Sequence, residues 1–175
     1  TIYWQGTTSG GTSTGSTTNP QTVTSSGTYY FRSYNGSCWG VEGSATVTIN
    51  NAPAAVSVSP AITTQCGGTV TLTASGGSGG TIYWQNTTSG GTSTGTSSSS
   101  QTVSSSGTYY FRSYDGSCWG PEGSATVTIN PVPSAVTVNA SGTFCNNTSL
   151  TASGGSGGTI YWQGTTSGGT STGST

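Results

Sequence analysis

The side chains that could carry chemistry are few. Three carboxylates (Glu42, Asp115, Glu122) and two guanidinium groups (Arg32, Arg112) are the only charged side chains, and there is no histidine. Glycoside hydrolysis needs two carboxylates facing one substrate. Here one Glu occurs in each of the two copies that reach that position, and Asp115 is replaced by Asn35 in the first of them. Without His or Lys the candidate acids and bases are these three carboxylates alone, too few for a paired site, so the chain reads as non-enzymatic with no cofactor expected. A calcium site needs clustered carboxylates, and a zinc site needs Cys-x-x-Cys or His spacing; neither pattern is present. Arg112 and Glu122 recur as Arg32 and Glu42, which reads as a surface ion pair contributing ~0–1 kcal/mol. Two arginines cannot neutralise a phosphate backbone, which excludes nucleic acid as a partner.

Cysteines and aromatics are the remaining reactive or adhesive groups. The four cysteines fall at matching places, Cys38 with Cys118 and Cys66 with Cys145. Paired cysteines in a Ser/Thr-rich chain point to an oxidising, extracellular or cell-surface setting. Roughly two residues in five are Ser or Thr, a composition that alone would suit a disordered stalk. Five Trp, nine Tyr and three Phe at recurring positions argue instead for a packed core. A formal charge of −1 gives weak repulsion between copies, so a polymer of this surface needs another solubilising device or is meant to associate. The hydroxyl-rich tracts 7–18, 87–100 and 165–175 offer sites for O-linked sugar, notably at Thr87, Thr88, Thr92 and Thr94. Asn86 begins an Asn-Thr-Thr acceptor pattern for N-linked sugar. Bare hydroxyl-rich loops are the alternative.

What must position these residues is a repeat. Thr-Ile-Tyr-Trp-Gln occurs at 1–5, 81–85 and 159–163, at offsets of 80 and 78 residues. Ser26–Tyr34 returns intact as Ser106–Tyr114, and 159–175 match 1–17 letter for letter, which suggests a two-repeat period of 158 residues. A period near 80 suits a small β-sandwich rather than a solenoid turn. The divisions expected are 1–51, the later part of one repeat; 52–131, a complete repeat; and 132–175, the earlier part of the next. Both ends fall inside a repeat and no Met is present, so the chain is expected to be a piece of something longer, with its end segments completed by neighbouring chain. No hydrophobic run is long enough to span a membrane.

Within 52–131, alternation predicts short strands at Ala55–Ser59, Thr69–Ala74, Thr81–Gln85, Gln101–Val103, Gly107–Tyr114 and Ser124–Asn130. The tract 87–100 could add a weak edge strand. No stretch has helical periodicity. Parity puts Leu72, Ile82, Trp84, Tyr109, Phe111 and Val127 inside. It turns Tyr83, Tyr110, Arg112 and Tyr114 to the other face, an aromatic row that could support a loop, meet another subunit or stack on sugar. Trp119, next to Cys118, is expected to cap a domain end or fill a junction. The junctions Asn51-Ala52-Pro53 and Pro131-Val132-Pro133 are short and stiffened by proline.

Cys66-Gly-Gly, Leu72-Thr-Ala74, Trp84, Gly90-Gly91, Tyr109-Tyr110, Cys118 and Val127 together resemble tandem immunoglobulin-like repeats of secreted and cell-surface proteins of Bacteroidota. The resemblance covers the whole chain. It implies an all-β fold of tandem sandwiches, about seven strands each, forming a rod. Trp84 resembles the buried third-strand tryptophan, and Tyr109 the corner tyrosine whose hydroxyl returns to the backbone. Phe111 stands where antibody domains place a cysteine. Cys66 and Cys118 are expected to pair within one repeat, because each unit then holds a complete set. In a plain immunoglobulin topology, however, they start at opposite ends, which leaves open a bond from Cys66 to the Cys118-type loop of the next repeat. The expectation for function is a structural segment of an extracellular bacterial fibre or stalk. Identical neighbouring chains in a head-to-tail polymer would be its partners. An adhesin or carbohydrate-binding module is the alternative, with Tyr83, Tyr110, Tyr114 and Trp119 as the contact surface.

Overall fold

A computed structural model describes residues 1–139 and 141–173; Ser174 and Thr175, at the end of the last hydroxyl-rich tract, lie outside it. The first segment contributes β1 (Ile2–Trp4), β2 (Gly27–Ser33) and β3 (Gly43–Val47), which form one antiparallel sheet. The middle segment contributes β4 (Val56–Ser59), β5 (Ile62–Cys66), β6 (Val70–Gly76) and β7 (Thr81–Asn86). It continues with β8 (Ser100–Val103), β9 (Gly107–Tyr114) and β10 (Gly123–Asn130). The last segment contributes β11 (Val136–Val138) and β12 (Ala152–Gly154), an antiparallel pair. The described residues form no helix.

The middle repeat is a sandwich of two sheets, β4-β6-β8 and β5-β10-β9-β7. Alternation along each strand produces the core. Val56 and Val58 on β4, Val70, Leu72 and Ala74 on β6, and Val103 on β8 face Tyr109, Phe111, Ala125 and Val127 of the other sheet, all buried. Each such side chain contributes roughly 1.5–3 kcal/mol when large and fully buried. Ile82, Trp84 and Ile129 are half-buried against this cluster. The Trp84 ring stacks on Tyr109 (5.4 Å between centroids, 18° between planes) and meets Phe111 edge-on at 4.8 Å. Trp84 is not enclosed because β7 is the sheet's edge strand. Outward positions carry threonine, and cross-strand pairs such as Thr71–Thr102 (3.1 Å) and Thr108–Thr126 (3.2 Å) share a hydroxyl hydrogen bond.

Two sequence expectations are corrected. The strand β5 was not legible: it lies parallel to β10, from Ile62 opposite Thr126 to Cys66 opposite Asn130. Its sequence, Ile-Thr-Thr-Gln-Cys, has one aliphatic residue, and that one is exposed, so main-chain bonding rather than burial holds it. The chain therefore changes sheets across Ser59-Pro60-Ala61, leaving β4 on one sheet and entering the other. The tract from 87 to 99 contains no strand; a single isolated bridge, Ser97 to Tyr83, is its only ladder pairing. Scattered hydrogen bonds, such as Trp84 N–H to the Thr96 carbonyl (3.0 Å) and Ser98 N–H to the Ile82 carbonyl (3.1 Å), tie it to the sheet.

Candidate functional site

Three kinds of residue meet around the outer face of β7 and β9: the aromatic row, the charged pair and the hydroxyl-rich loop. Tyr83 on β7 lies opposite Arg112 on β9. The hairpin after β9 is closed by Asp115, whose Oδ1 accepts the N–H groups of Ser117 and Cys118, both at 2.7 Å. Those bonds, the Cys118 amide first, hold the Asp115 carboxyl below its ordinary 3.8. Asn35 closes the matching hairpin with the same two bonds, to Ser37 and Cys38, at 2.9 and 2.8 Å. An amide does the same work as a carboxylate there, so the position is a turn device and not a reacting group.

That hairpin folds Trp119 back over the sheet. Its ring stacks on Tyr114 at 4.6 Å, meets Tyr83 edge-on at 5.8 Å, and lies 5.4 Å below the Arg112 guanidinium carbon. Trp119 was expected to cap a domain end or fill a junction; its ring packs on Tyr83, Arg112 and Tyr114, on the face of the sheet where β9 ends. Tyr83, Arg112, Tyr114 and Trp119 are brought together, all half-buried, while Tyr110 lies further along β9 opposite Asn86 and Ser124. The first segment repeats the cluster with Tyr3, Arg32, Tyr34 and Trp39. Cation–π and aromatic contacts of this kind contribute about 0.5–1.5 kcal/mol each.

The expected ion pair of Arg112 and Glu122 is corrected: Glu122 spends its hydrogen bonds on the neighbouring loop, and Arg112 divides its own between that loop and the hairpin after β9. The Arg112 Nε donates to the Gly120 carbonyl (3.0 Å), and an Nη donates to the carbonyls of Gly90 and Gly91 (both 3.2 Å). Glu122 accepts from the Gly90 amide (2.7 Å) and the Ser89 hydroxyl (2.8 Å). Those two bonds, in that order, hold its carboxyl below the ordinary 4.5. A guanidinium takes the loop's carbonyls while a carboxylate takes its amide, so opposite charges pin one turn from two sides.

Gln85, which sequence reasoning passed over, is the third anchor. Its buried side-chain amide donates to the Ser93 carbonyl (2.9 Å) and accepts the Ser93 N–H (2.9 Å), as a neighbouring strand would. The signal was available: Gln follows Trp in all three copies, with Ser eight residues on. Between these anchors the side chains of Asn86, Thr87, Thr88, Thr92 and Thr94 are exposed.

Beside the aromatic cluster lies a shallow depression lined by Gly79, Gly80, Thr81, Tyr83, Tyr114, Asp115 and Gly116. No group of three or more metal-ligating side chains occurs among the described residues. The expected Cys66–Cys118 bond is also corrected, because all four cysteines are free. Cys66 lies beside Asn130 where β10 ends, whereas Cys118 lies in the hairpin before β10 begins.

At the corner before β9, the Tyr109 hydroxyl donates to the Ser105 carbonyl at 2.8 Å, and Tyr29 does the same to Ser25 at 2.6 Å. That returning hydroxyl is the corner the resemblance implied. Residues 53–131 match the family model of an Ig-like domain described as CHU_C associated. The middle repeat is an Ig-like domain. Among solved structures, the chain is similar to the crystal structure of Dscam1 isoform 7.44, N-terminal four Ig domains, at 18% identity with a TM-score of 0.35. That match covers 60% of this chain and 27% of the other, so the chain spans about a quarter of its length. No curated protein matches the chain. Ig-like domains of this type are typically extracellular or surface modules and typically non-catalytic. No helix is long and apolar enough to cross a membrane among the described residues.

Proposed function

We propose that this chain is a load-bearing segment of an extracellular fibre or stalk, built from Ig-like repeats joined head to tail. The observation that carries the reading is the joint. Pro53 is buried in the repeat it introduces, lying against Gly80, where a Cβ would come within 2.8 Å of the proline ring. The Ser113 hydroxyl, fully buried, donates to the Ala54 carbonyl at 3.1 Å. Gly120 completes the seat: a Cβ there would come within 2.8 Å of the Pro53 carbonyl oxygen. At the next joint Val132 lies against Gly67 of the preceding repeat. Little free chain remains between repeats, which suits a semi-rigid rod rather than beads on a flexible string.

The reading as an adhesin is weaker on the same residues. The outward aromatic row is occupied by its own Trp119 and Arg112, and Asp115 is spent on its hairpin. The depression beside Tyr83 and Tyr114 is the one feature that favours a sugar-binding role, since flat tyrosine faces can stack on sugars. Sugars attached to the exposed Thr87, Thr88, Thr92 and Thr94 would supply the solubility that charge does not. Electron microscopy of the native material tests the fibre. Long uniform filaments with an axial advance of roughly 35–45 Å per repeat are expected from strands rising about 3.3 Å per residue plus end loops. Isolated particles that bind a glycan array would replace the fibre reading with the adhesin.

A further inference from the structure

We propose that consecutive repeats are joined by a disulfide bond. The cysteine beside the end of the last strand of one repeat (Cys66, Cys145) bonds to the hairpin cysteine of the repeat that follows (Cys38, Cys118).

Distance excludes the bond inside one repeat. Cys66 is in register with Asn130, the final residue of β10, and Cys118 precedes the first, Gly123. Eight residues of strand span about 23 Å, and a disulfide tolerates Cα atoms no more than about 7 Å apart. Across a junction the geometry is the reverse. The Cys118 Sγ lies 3.8 Å from the Asn50 carbonyl oxygen, at the close of the preceding repeat. Asn50 is the repeat equivalent of Asn130, 80 residues earlier. Cys66 stands beside Asn130 on the adjacent strand, at a strand spacing of about 4.8 Å. The Gly67 N–H, next to Cys66, donates to the Asn130 carbonyl at 2.9 Å. The two cysteine types therefore approach equivalent asparagines, Cys66 reaching Asn130 from within its repeat and Cys118 reaching Asn50 from the next.

The hairpin cysteine is held ready. Asp115 or Asn35 fixes its backbone amide, and the following tryptophan is locked on the sheet. Cys66 is exposed and Cys118 half-buried, so a soluble oxidant reaches the pair. In the step itself two thiols lose two protons and one S–S bond forms. The two electrons pass to a disulfide oxidant, protein or small molecule, which leaves as two thiols.

The four cysteines allow three pairings, and the proposal selects one of them. Because 159–175 repeat 1–17, residues 18–175 placed directly after Thr175 continue the register without a scar. This doubled chain is oxidised with a glutathione couple, digested without reduction and mapped by mass spectrometry. The expected linked peptides are Cys66 of the first copy with Cys38 of the second, and Cys145 of the first copy with Cys118 of the second. Both vanish on reduction. The sequences around Cys38 and Cys118 differ at Asn35 and Asp115, so the peptides are distinguishable by mass. Links of Cys66 to Cys118, links between like cysteines, or four free thiols per copy would each overturn the proposal. Cys66→Ser should free the second copy's Cys38 alone and leave the Cys145–Cys118 link intact. The mapping needs no filament, so its failure is separate from failure of the fibre reading.

Discussion

Three copies of Thr-Ile-Tyr-Trp-Gln sit in three different surroundings. At 81–85 the segment is a strand with β9 beside it and a second sheet beneath. At 1–5 its central residues form β1 beside β2, with no second sheet under them. At 159–163 it has neither, and it is not a strand. What survives in each setting ranks the interactions by range. The Gln-to-Ser clasp spans eight residues and is present in all three, including Gln163 with Ser171 at 2.8 and 3.0 Å. The tryptophan stack needs the neighbouring strand. Trp4 lies on Tyr29 at 5.4 Å and 20°, nearly as Trp84 lies on Tyr109, whereas Trp162 is 57% exposed. Burial needs the opposite sheet. Leu72 is fully buried while its counterpart Leu150 is 48% exposed, and Phe111 is fully buried while Phe31 is only half-buried. Identical residues thus become a clasp, a stack or a core according to how much distant chain reaches them.

Amide exchange gives the largest test of that ranking. Protection at 81–85 should exceed that at 159–163 by at least about a hundredfold in the same chain, since strand openings approach the global stability and unpaired segments open at nearly no cost. Equal rates would mean that local sequence, not the partner strand, makes this strand. Next in size is Phe111→Ala, which should cost the middle repeat roughly 3–5 kcal/mol in urea denaturation. Phe31→Ala should leave that transition in place, because its ring belongs to another segment. Third, Gln85→Ala strips two main-chain groups of Ser93 of their partner. It should cost about 1–3 kcal/mol and raise exchange across the following loop without unfolding the sheet.

The smallest effect is a pH dependence confined to one turn. Glu122 is held below its ordinary 4.5 by the Gly90 amide and the Ser89 hydroxyl. A depressed folded-state value means the anchor is fully present above the unfolded value. It is lost as pH falls through the folded one. Exchange at Ser89 to Gly91, corrected for intrinsic rate, should therefore rise as pH is lowered beneath about 4.5. The clasp at Ser93 has no titrating group and should not respond.

The alternating core was legible because each inward position on β6, β9 and β10 obeys a period of two. The corner tyrosine was legible because Ser-Gly-Thr-Tyr-Tyr is a local pattern. The strand β5 was not, since edge pairing through the main chain leaves almost no mark on side-chain choice. The destination of Trp119 was hidden for another reason. It depends on a hairpin bending back across the sheet, and spacing along the chain carries no trace of that. The opposite placement of Cys66 and Cys118 was legible from the order of the strands, and the missed strand adds only the register, which sets Cys66 beside Asn130 at the end of β10.

That same strand decides how a repeat responds to tension. The chain enters the second sheet through β5 and leaves it through β10, and the two run side by side in the same direction over five residue pairs. Once β4 has been drawn off β6, pulling the repeat from its two joints slides β5 along β10. The five-pair ladder is loaded all at once, so it must fail as a unit rather than open pair by pair as a zipper would. Resistance to stretching would then come from the least apolar strand of the domain, and core substitutions could lower thermal stability while leaving the breaking force nearly unchanged.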